Sequence, residues 1–287
     1  MQLDQRLDRI LRGASKLRSL PLLSLLSPDP RRELTQENFL GFYKAQTRAL
    51  DAAKEIASHI TEGWTEKQAA SFVNSYLHDT GVKSFFHHAY AWFGERTRFS
   101  GINRRMYHQF MPSSRRIKEG EVFILDVAPI VDGFVCDIGY TSSLGENVQL
   151  EVAQKFLQDL RAEVPVLFEA KRPGSGIWDV IDQKIRDSGY DNIHKLYPFS
   201  VLGHRIYRSG EKHGHLKLLN FGWHSYWSLS SRGLFGQLLN HKFEGDLEGL
   251  WAIEPHIGSA GFGAKFEEIL VMKDGKAQWL ADMELGK

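Results

Sequence analysis

Two aspartates lie in apolar, strand-like sequence on either side of an Asp-Gly pair, in the segment VFILDVAPIVDGFVCDIGYT (residues 122–141). Asp132-Gly133 is typical of a two-residue β-hairpin loop, and such a loop pairs residues whose numbers sum to 265. Asp126 then pairs with Gly139, and the carboxylates of Asp126 and Asp137 project from one face as diagonal neighbours. A buried carboxylate without a partner costs several kcal/mol, and two neighbouring ones also repel each other. A bound divalent metal ion would remove both problems.

The alternative is a hairpin whose aspartates face water, because lone aspartates are mostly exposed. The residues around Asp126 argue against it, since both faces of its strand are otherwise apolar. Val122, Ile124 and Ile130 lie on one face, and Phe123, Leu125 and Val127 lie on the other. The metal hypothesis predicts further ligands elsewhere in the chain.

Three later positions also place an ionisable residue within an apolar strand-like run. They are His204 in FSVLGHRIY, Glu254 in LWAIEPHIG and Glu267 in AKFEEILVM. Each has an ordinary explanation when taken singly, as a satisfied core histidine, a strand-end acid or an outward-facing acid. One histidine with four carboxylates, however, suits a pair of Mn²⁺, Fe²⁺, Co²⁺ or Zn²⁺ ions and argues against a structural zinc site.

The bulk properties are those of an ordinary globular protein. The chain has 287 residues, with 36 basic and 35 acidic ones and a formal charge of +1. This balance provides no field to attract nucleic acid or an anionic membrane, so we expect neither partner. No apolar run approaches the roughly 20 residues that span a bilayer.

The single cysteine, Cys136, excludes an internal disulfide and is expected to be a packed core thiol. The N-terminus lacks the pattern of a secretory signal, and we expect a cytoplasmic protein.

The elements that position these residues indicate an α+β fold, with helices and antiparallel strands mixed along the chain. We predict an N-terminal helical extension over residues 1–35, whose amphipathic first helix could support a homodimer, and one domain over residues 36–287. Predicted helices begin after Thr35 and Thr65, a long one covers about 147–171, and another covers 177–188. The aromatic- and glycine-rich stretch 205–248 is interpreted as an elaborated loop over a site.

The string SGINRRMYHQFMPSSRRIKEGEVFILDVAPIVDGFVCDIGYTSSLG, residues 100–145, resembles the central motif of the methionine aminopeptidase, Xaa-Pro peptidase and creatinase family. The resemblance covers about residues 36–280. It implies the pita-bread fold, in which helices flank a curved antiparallel sheet. Metal-dependent members use Asp, Asp, His, Glu and Glu in this order, with the aspartates 11 positions apart as here. The implied metal ligands are Asp126, Asp137, His204, Glu254 and Glu267.

The function that this resemblance implies is that of a dinuclear metal-dependent hydrolase acting on a peptide or small amide. An aminopeptidase of the methionine aminopeptidase or Xaa-Pro type would cleave an N-terminal peptide bond with water activated by two divalent ions. Glu254 would transfer a proton from the water to the leaving amine. His108, 18 positions before the first aspartate, matches a family histidine that contacts substrate.

Several positions depart from the family pattern around the histidine ligand. The family often has Gly-His-Gly-x-Gly, and this chain has Gly203-His204-Arg205-Ile206-Tyr207, so Arg205 and Tyr207 are expected to crowd the approach to the metals or reshape the pocket. A second family histidine would fall at Glu211, and His213 or His215 is the candidate to replace it in contacting substrate.

Two further departures lie near the ligands. Gly139-Tyr140 stands where the family usually has Thr-Arg, and Lys265 stands where Xaa-Pro members commonly have arginine. These changes leave two alternatives open. One is a non-catalytic module of the same fold that binds a peptide or protein, and the other is a metal-dependent enzyme for a non-peptide small molecule.

Overall fold

The computed structural model describes residues 29–102, 107–209, 217–218, 220–222 and 237–285. Helices and antiparallel strands alternate along these residues, which confirms the α+β class. The predicted helix before residue 29 falls outside the described residues, as does half of the aromatic-rich stretch 205–248. Among the helices described, none combines the length and apolar character needed to cross a membrane.

Four α-helices are described, and the capping residues explain where they begin. They are α1 (Gln36–His59), α2 (Glu66–Asp79), α3 (Val148–Glu169) and α4 (Gly174–Asp187). The Thr35 hydroxyl accepts the Asn38 amide at the start of α1, and Thr65 forms a capping box with Gln68 at the start of α2. The predicted starts of α1 and α2 are therefore confirmed, whereas α4 begins three residues earlier than predicted.

Fourteen strands are described, four of them between α2 and α3 and ten after α4. They are β1 (Ser84–Phe93), β2 (Val122–Val131), β3 (Phe134–Val135), β4 (Ile138–Ser143), β5 (Asp191–Asn192), β6 (Gly203–Arg205), β7 (Lys217–Leu218), β8 (Phe221–Gly222), β9 (Leu238–Leu239), β10 (Gly249–Ile253), β11 (His256–Ser259), β12 (Phe262–Lys265), β13 (Glu268–Lys273) and β14 (Lys276–Trp279). One sheet has the order β3-β2-β1-β8-β7 with β4 also on β2, a second has the order β14-β13-β10-β6-β9, and a third has the order β12-β11-β5.

The central hairpin has the register predicted from its turn. Asp126 pairs with Gly139 and Ile130 pairs with Val135, so the paired residue numbers sum to 265. Asp132 and Gly133 have φ values of +51° and +82°, as a type I′ turn requires. All ten residues of β2 are buried, which explains its apolar character on both faces.

Two helical layers cover the sheets. Helices α1 and α2 pack on the first sheet, where Phe42 and Ala49 meet the apolar residues of β2. Cys136 is buried in this cluster and its thiol donates to the Ala45 carbonyl at 3.3 Å, as expected for a core cysteine. Helices α3 and α4 cover the second sheet, where Leu160 and Trp251 belong to one apolar cluster. The predicted ligands lie in or directly beside strands of these sheets.

Candidate metal centre

The structure brings the five predicted ligands together at the junction of the three sheets. Asp126 lies in β2, Asp137 between β3 and β4, His204 in β6, Glu254 after β10, and Glu267 between β12 and β13. Two groups of them have candidate ligand atoms within 4.8 Å of one another: Asp137 with His204 and Glu267, and Asp126 with Glu254 and Glu267. Glu267 belongs to both groups.

The histidine of this set presents one defined nitrogen to the acids. His204 Nδ1 lies 3.2 Å from the Arg205 carbonyl oxygen and donates to it, which leaves Nε2 facing Asp137 at 3.3 Å. A metal-binding imidazole is commonly held in this way, by a hydrogen bond from its other nitrogen to a carbonyl group. The geometry of His204 therefore fits a metal ligand that binds through Nε2.

A second imidazole, which the sequence did not predict, lies on the other side of the aspartates. His87 Nε2 of β1 lies 3.2 Å from Asp126 and 3.2 Å from Asp137. His87 Nδ1 donates to the His88 carbonyl at 3.0 Å. Burial lowers the pKa of His87, but the two aspartates outweigh it and raise this pKa well above its ordinary value. The only sequence signal was a pair of adjacent histidines within an apolar strand.

The Lys265 ammonium lies inside the second group of acids. Its Nζ is 2.8 Å from Asp126, 2.9 Å from Glu254 and 2.9 Å from Glu267, and its side chain is fully buried. Burial lowers the pKa of Lys265, but these three carboxylates outweigh it and raise this pKa well above its ordinary value. The sequence had identified Lys265 only as a departure from the family pattern, because nothing local reveals where a long side chain ends.

The carboxylates of the centre have different proton affinities. Burial raises the pKa of Asp137, but the charges of His87 and His204 outweigh it, so this pKa is below its ordinary value. Burial and the neighbouring Asp137 and Glu254 carboxylates raise the pKa of Glu267 well above its ordinary value. Burial also raises the pKa of Glu254. A divalent ion bound among these acids would stabilise their ionised forms.

The centre forms one wall of a largely apolar cavity of about 240 Å³. Aromatic side chains supply most of the remaining wall. They are Phe86, Tyr90, Trp92, Phe99, Phe110, Tyr197, Phe199 and Phe221. A pocket with apolar walls and a few convergent polar groups is typical of a small-molecule or active site.

The two bulky residues after His204 both border this cavity. The Arg205 guanidinium, however, stacks on the Trp251 ring at 4.3 Å and donates to the Asp246 and Glu248 carbonyls. Successive side chains of a strand point to opposite faces, so this guanidinium lies away from the acids that His204 faces. Tyr207 is also among the lining residues. Arg205 therefore supports the wall from behind instead of entering the metal centre.

The structure does not bring His108 into the cavity. It lies in a short 3₁₀ turn, Tyr107–Phe110, and is exposed. That turn directs Phe110 inward, where it is buried and lines the cavity. The role of His108 in contacting substrate stays a prediction. His213 and His215 lie outside the described residues, so their roles also stay predictions.

A model of metallopeptidase family M24 matches residues 41–274 of the chain. Among known proteins, a methionine aminopeptidase from Archaeoglobus fulgidus is 30% identical over 156 residues, which are 52% of this chain and 49% of that protein. The chain thus spans about half the length of this relative.

Several solved structures have a similar fold. An X-Pro aminopeptidase from Thermotoga maritima has a TM-score of 0.64 at 17% identity, over 88% of this chain and 63% of that chain. A methionine aminopeptidase from Rickettsia prowazekii has a TM-score of 0.56 at 16% identity, over 86% of this chain and 98% of that chain. At these identities the likeness concerns the fold alone, and it confirms the pita-bread architecture expected from the sequence.

Proposed function

Because the chain belongs to metallopeptidase family M24, we propose that it is a metal-dependent hydrolase of the aminopeptidase type that cleaves an N-terminal peptide bond. One observation carries the proposal. Four carboxylates and one histidine from five separate segments converge on the wall of one apolar cavity. A module that only bound apolar peptides would gain nothing from burying these groups, since isolated buried charges are costly.

The donor set fits a divalent transition-metal ion. Carboxylate and imidazole ligands are those that Mn²⁺, Fe²⁺, Co²⁺ and Zn²⁺ use in proteins. We propose that the metal-binding side chains of this centre come from the set Asp126, Asp137, His204, Glu254 and Glu267. When bound in such a site, a metal ion lowers the pKa of a water molecule and polarises a carbonyl group.

The number of ions depends on Lys265. The sequence leads to the expectation of two ions, and the second would use Asp126 with Glu254 and Glu267. The Lys265 ammonium lies within 2.9 Å of an oxygen of each of these acids. A second ion therefore requires this ammonium to leave. The group formed by Asp137, His204 and Glu267 is supported as the principal metal site.

Glu254 is the proposed proton carrier. Its side chain lines the cavity and is 12% exposed, so it can reach both water and substrate. Burial and the Asp126 carboxylate raise its pKa, which the Lys265 charge only partly offsets. A carboxyl group whose pKa is raised towards neutrality can accept a proton from attacking water and then donate it to a leaving amine.

The cavity wall indicates the substrate class. Its aromatic residues favour an apolar side chain beside the amide that is cleaved, in a peptide or a small amide. The same wall supports a second candidate, a metal-dependent reaction of an apolar, non-peptide small molecule. Turnover of peptides against turnover of simple aromatic amides distinguishes the two.

The test combines metal analysis with turnover. Metal-depleted protein is loaded separately with Mn²⁺, Fe²⁺, Co²⁺ or Zn²⁺ and assayed against N-terminal dipeptides and amides. Asp137→Asn should lose bound metal and reduce activity by about 10²-fold or more, because it removes a charged ligand. Asp132→Asn is the matched control, since it removes an exposed carboxylate from the turn of the same hairpin. Full turnover by metal-free protein would contradict the proposal.

A further inference from the structure

We propose that the Lys265 ammonium is a built-in cation that takes the place of a second metal ion, so that the chain binds one divalent ion tightly, at Asp137, His204 and Glu267. This inference rests on the proposed function, because it concerns the same centre. It differs from the two-ion arrangement that the sequence implies.

The first support is the completeness of the ammonium's contacts. A lysine ammonium has three hydrogens to donate, and Lys265 Nζ has three carboxylate acceptors at 2.8–2.9 Å. A metal ion would need those same oxygens at about 2.0–2.2 Å. The ammonium and a divalent ion cannot share that space, and their charges would repel each other.

The second support is Gly139, which provides the space for the lysine side chain. A Cβ atom at Gly139 would lie 3.0 Å from Lys265 Cδ and 2.3 Å from Cε, the second distance being closer than real Cβ contacts. The φ of Gly139 is not positive, so its backbone does not require glycine. Glycine is needed here for the close approach of the lysine. The two departures from the family pattern, Gly139 and Lys265, are therefore parts of one arrangement.

The third support is the way in which Lys265 is held along its length. Its backbone amide donates to the Thr141 hydroxyl at 3.0 Å, and its carbonyl accepts from the same hydroxyl at 2.7 Å. Its Nζ lies 5.6 Å from the centre of the Tyr197 ring. Tyr197 is itself held by His256, 2.8 Å from its hydroxyl. Moving the ammonium out would break three buried ion pairs.

Glu267 connects the ammonium to the remaining metal site. Its Oε2 accepts from Lys265 at 2.9 Å, while its Oε1 faces His204 Nε2 at 3.9 Å. One oxygen is thus used by the fixed cation, and the other is directed at the group containing Asp137 and His204. The arrangement has room for one ion beside the ammonium.

The experiment measures metal binding and does not depend on turnover. Metal-depleted wild-type protein and Lys265→Met are dialysed against Mn²⁺, and bound metal per folded chain is measured by plasma mass spectrometry. Lys276→Met is the matched control, because the Lys276 side chain is 83% exposed. Wild type and the control should bind one ion each and give the electron paramagnetic resonance spectrum of an isolated Mn²⁺ ion. Lys265→Met should bind two, with the spectrum of a coupled pair.

Each outcome decides between the hypotheses. Two tightly bound ions in wild type would overturn the role of Lys265 while leaving the proposed hydrolase intact. One ion in both wild type and Lys265→Met would also overturn it, because the lysine would not be what excludes the second ion. No bound ion in either protein would overturn the proposed function as well. If Lys265→Met does not fold, Lys265→Gln and the wild-type stoichiometry decide the question.

Discussion

The buried ionisable residues of the centre form pairs whose proton affinities are pushed apart. Asp137 lies between two imidazoles, His87 at 3.2 Å and His204 at 3.3 Å, and keeps its charge. Glu254 is buried beside the Asp126 carboxylate, and its pKa is raised although the Lys265 charge acts in the opposite direction. Neighbouring carboxyl groups with separated pKa values are typical of sites where one acid binds a cation and another carries a proton.

The proton-carrying role of Glu254 gives a prediction at the scale of one residue. Glu254→Gln keeps the size of the side chain and an oxygen that can accept from Lys265, but it cannot accept a proton from water. We expect kcat to fall by about 10²- to 10⁴-fold, the usual contribution of general acid–base catalysis. Steady-state kinetics on the metal-loaded protein measure it, with metal content determined on the same sample.

The control for this variant is Glu284→Gln, which removes an exposed carboxyl group and should leave kcat unchanged. A Glu254→Gln protein that retained both its metal and its full kcat would exclude Glu254 as the proton carrier.

Individual residues of the centre differ in how far the sequence could predict them. Asp126 and Asp137 could be placed side by side because one short turn fixes their register. His87 could not, because β1 has two register shifts between Phe85 and Tyr90 and these decide which histidine faces the acids. Such irregularities depend on long-range packing and leave no local pattern.

At the scale of elements, the hairpin of β2 with β3 and β4 positions two of the ligands and depends on its turn. Gly133 has a φ of +82°, and a Cβ atom there would lie 2.7 Å from the Ser209 carbonyl oxygen. The Ser209 amide in turn donates to the Gly133 carbonyl at 2.6 Å. The turn is therefore tied to the segment that follows the strand of His204, so its geometry affects both sides of the centre.

Gly133→Ala is expected to lower the free energy of unfolding by more than the cost of the backbone strain alone. An alanine at positive φ costs about 1 kcal/mol, and the contact with Ser209 would add to it, for about 2–3 kcal/mol in all. Urea unfolding of metal-free protein measures the change.

Gly120→Ala is the matched variant for this experiment. Gly120 has a φ of +77°, but a Cβ atom there would meet nothing within 4 Å. Gly120→Ala should therefore lower the free energy of unfolding only by the backbone cost of about 1 kcal/mol. Equal losses for the two variants would show that the contact between Gly133 and Ser209 does not matter to stability.

The elements that the sequence predicted well are those with strong local signals. The caps at Thr35 and Thr65 begin α1 and α2, and the Asp-Gly turn fixes the central hairpin. The orientation of the turn Tyr107–Phe110 was harder to predict. The sequence of this polar loop does not show whether His108 or Phe110 points inward. Its orientation is decided by the aromatic cluster that buries Phe110.

At the scale of the whole molecule, the second helical layer is joined to the third sheet through a buried polar cluster. Asp182 of α4 accepts from Asn192 at 2.8 Å, and Asn192 lies 2.9 Å from His194 Nε2. His194 is completely buried, and its Nδ1 has no hydrogen-bond partner among the described residues. Trp178 packs edge-on against its ring at 5.6 Å. This cluster therefore contains a histidine that the fold keeps neutral.

The neutral His194 predicts how the stability of the molecule depends on pH. Burial lowers the pKa of His194 to about 3, although Asp182 acts in the opposite direction. The unfolded chain has the ordinary value of about 6.5, so between these values the unfolded state binds a proton that the folded state does not. The free energy of unfolding should fall as the pH drops below about 6.5, with His194 contributing up to about 1.4 kcal/mol per pH unit.

The variant His194→Gln should remove this contribution of one proton from the pH dependence of the free energy of unfolding. Urea titrations of metal-free protein between about pH 6.5 and 4.5 measure it. His78→Gln, at an exposed position of α2, should not. Equal slopes in wild type and His194→Gln would show that His194 is protonated in the folded state, and that the second helical layer does not hold it neutral.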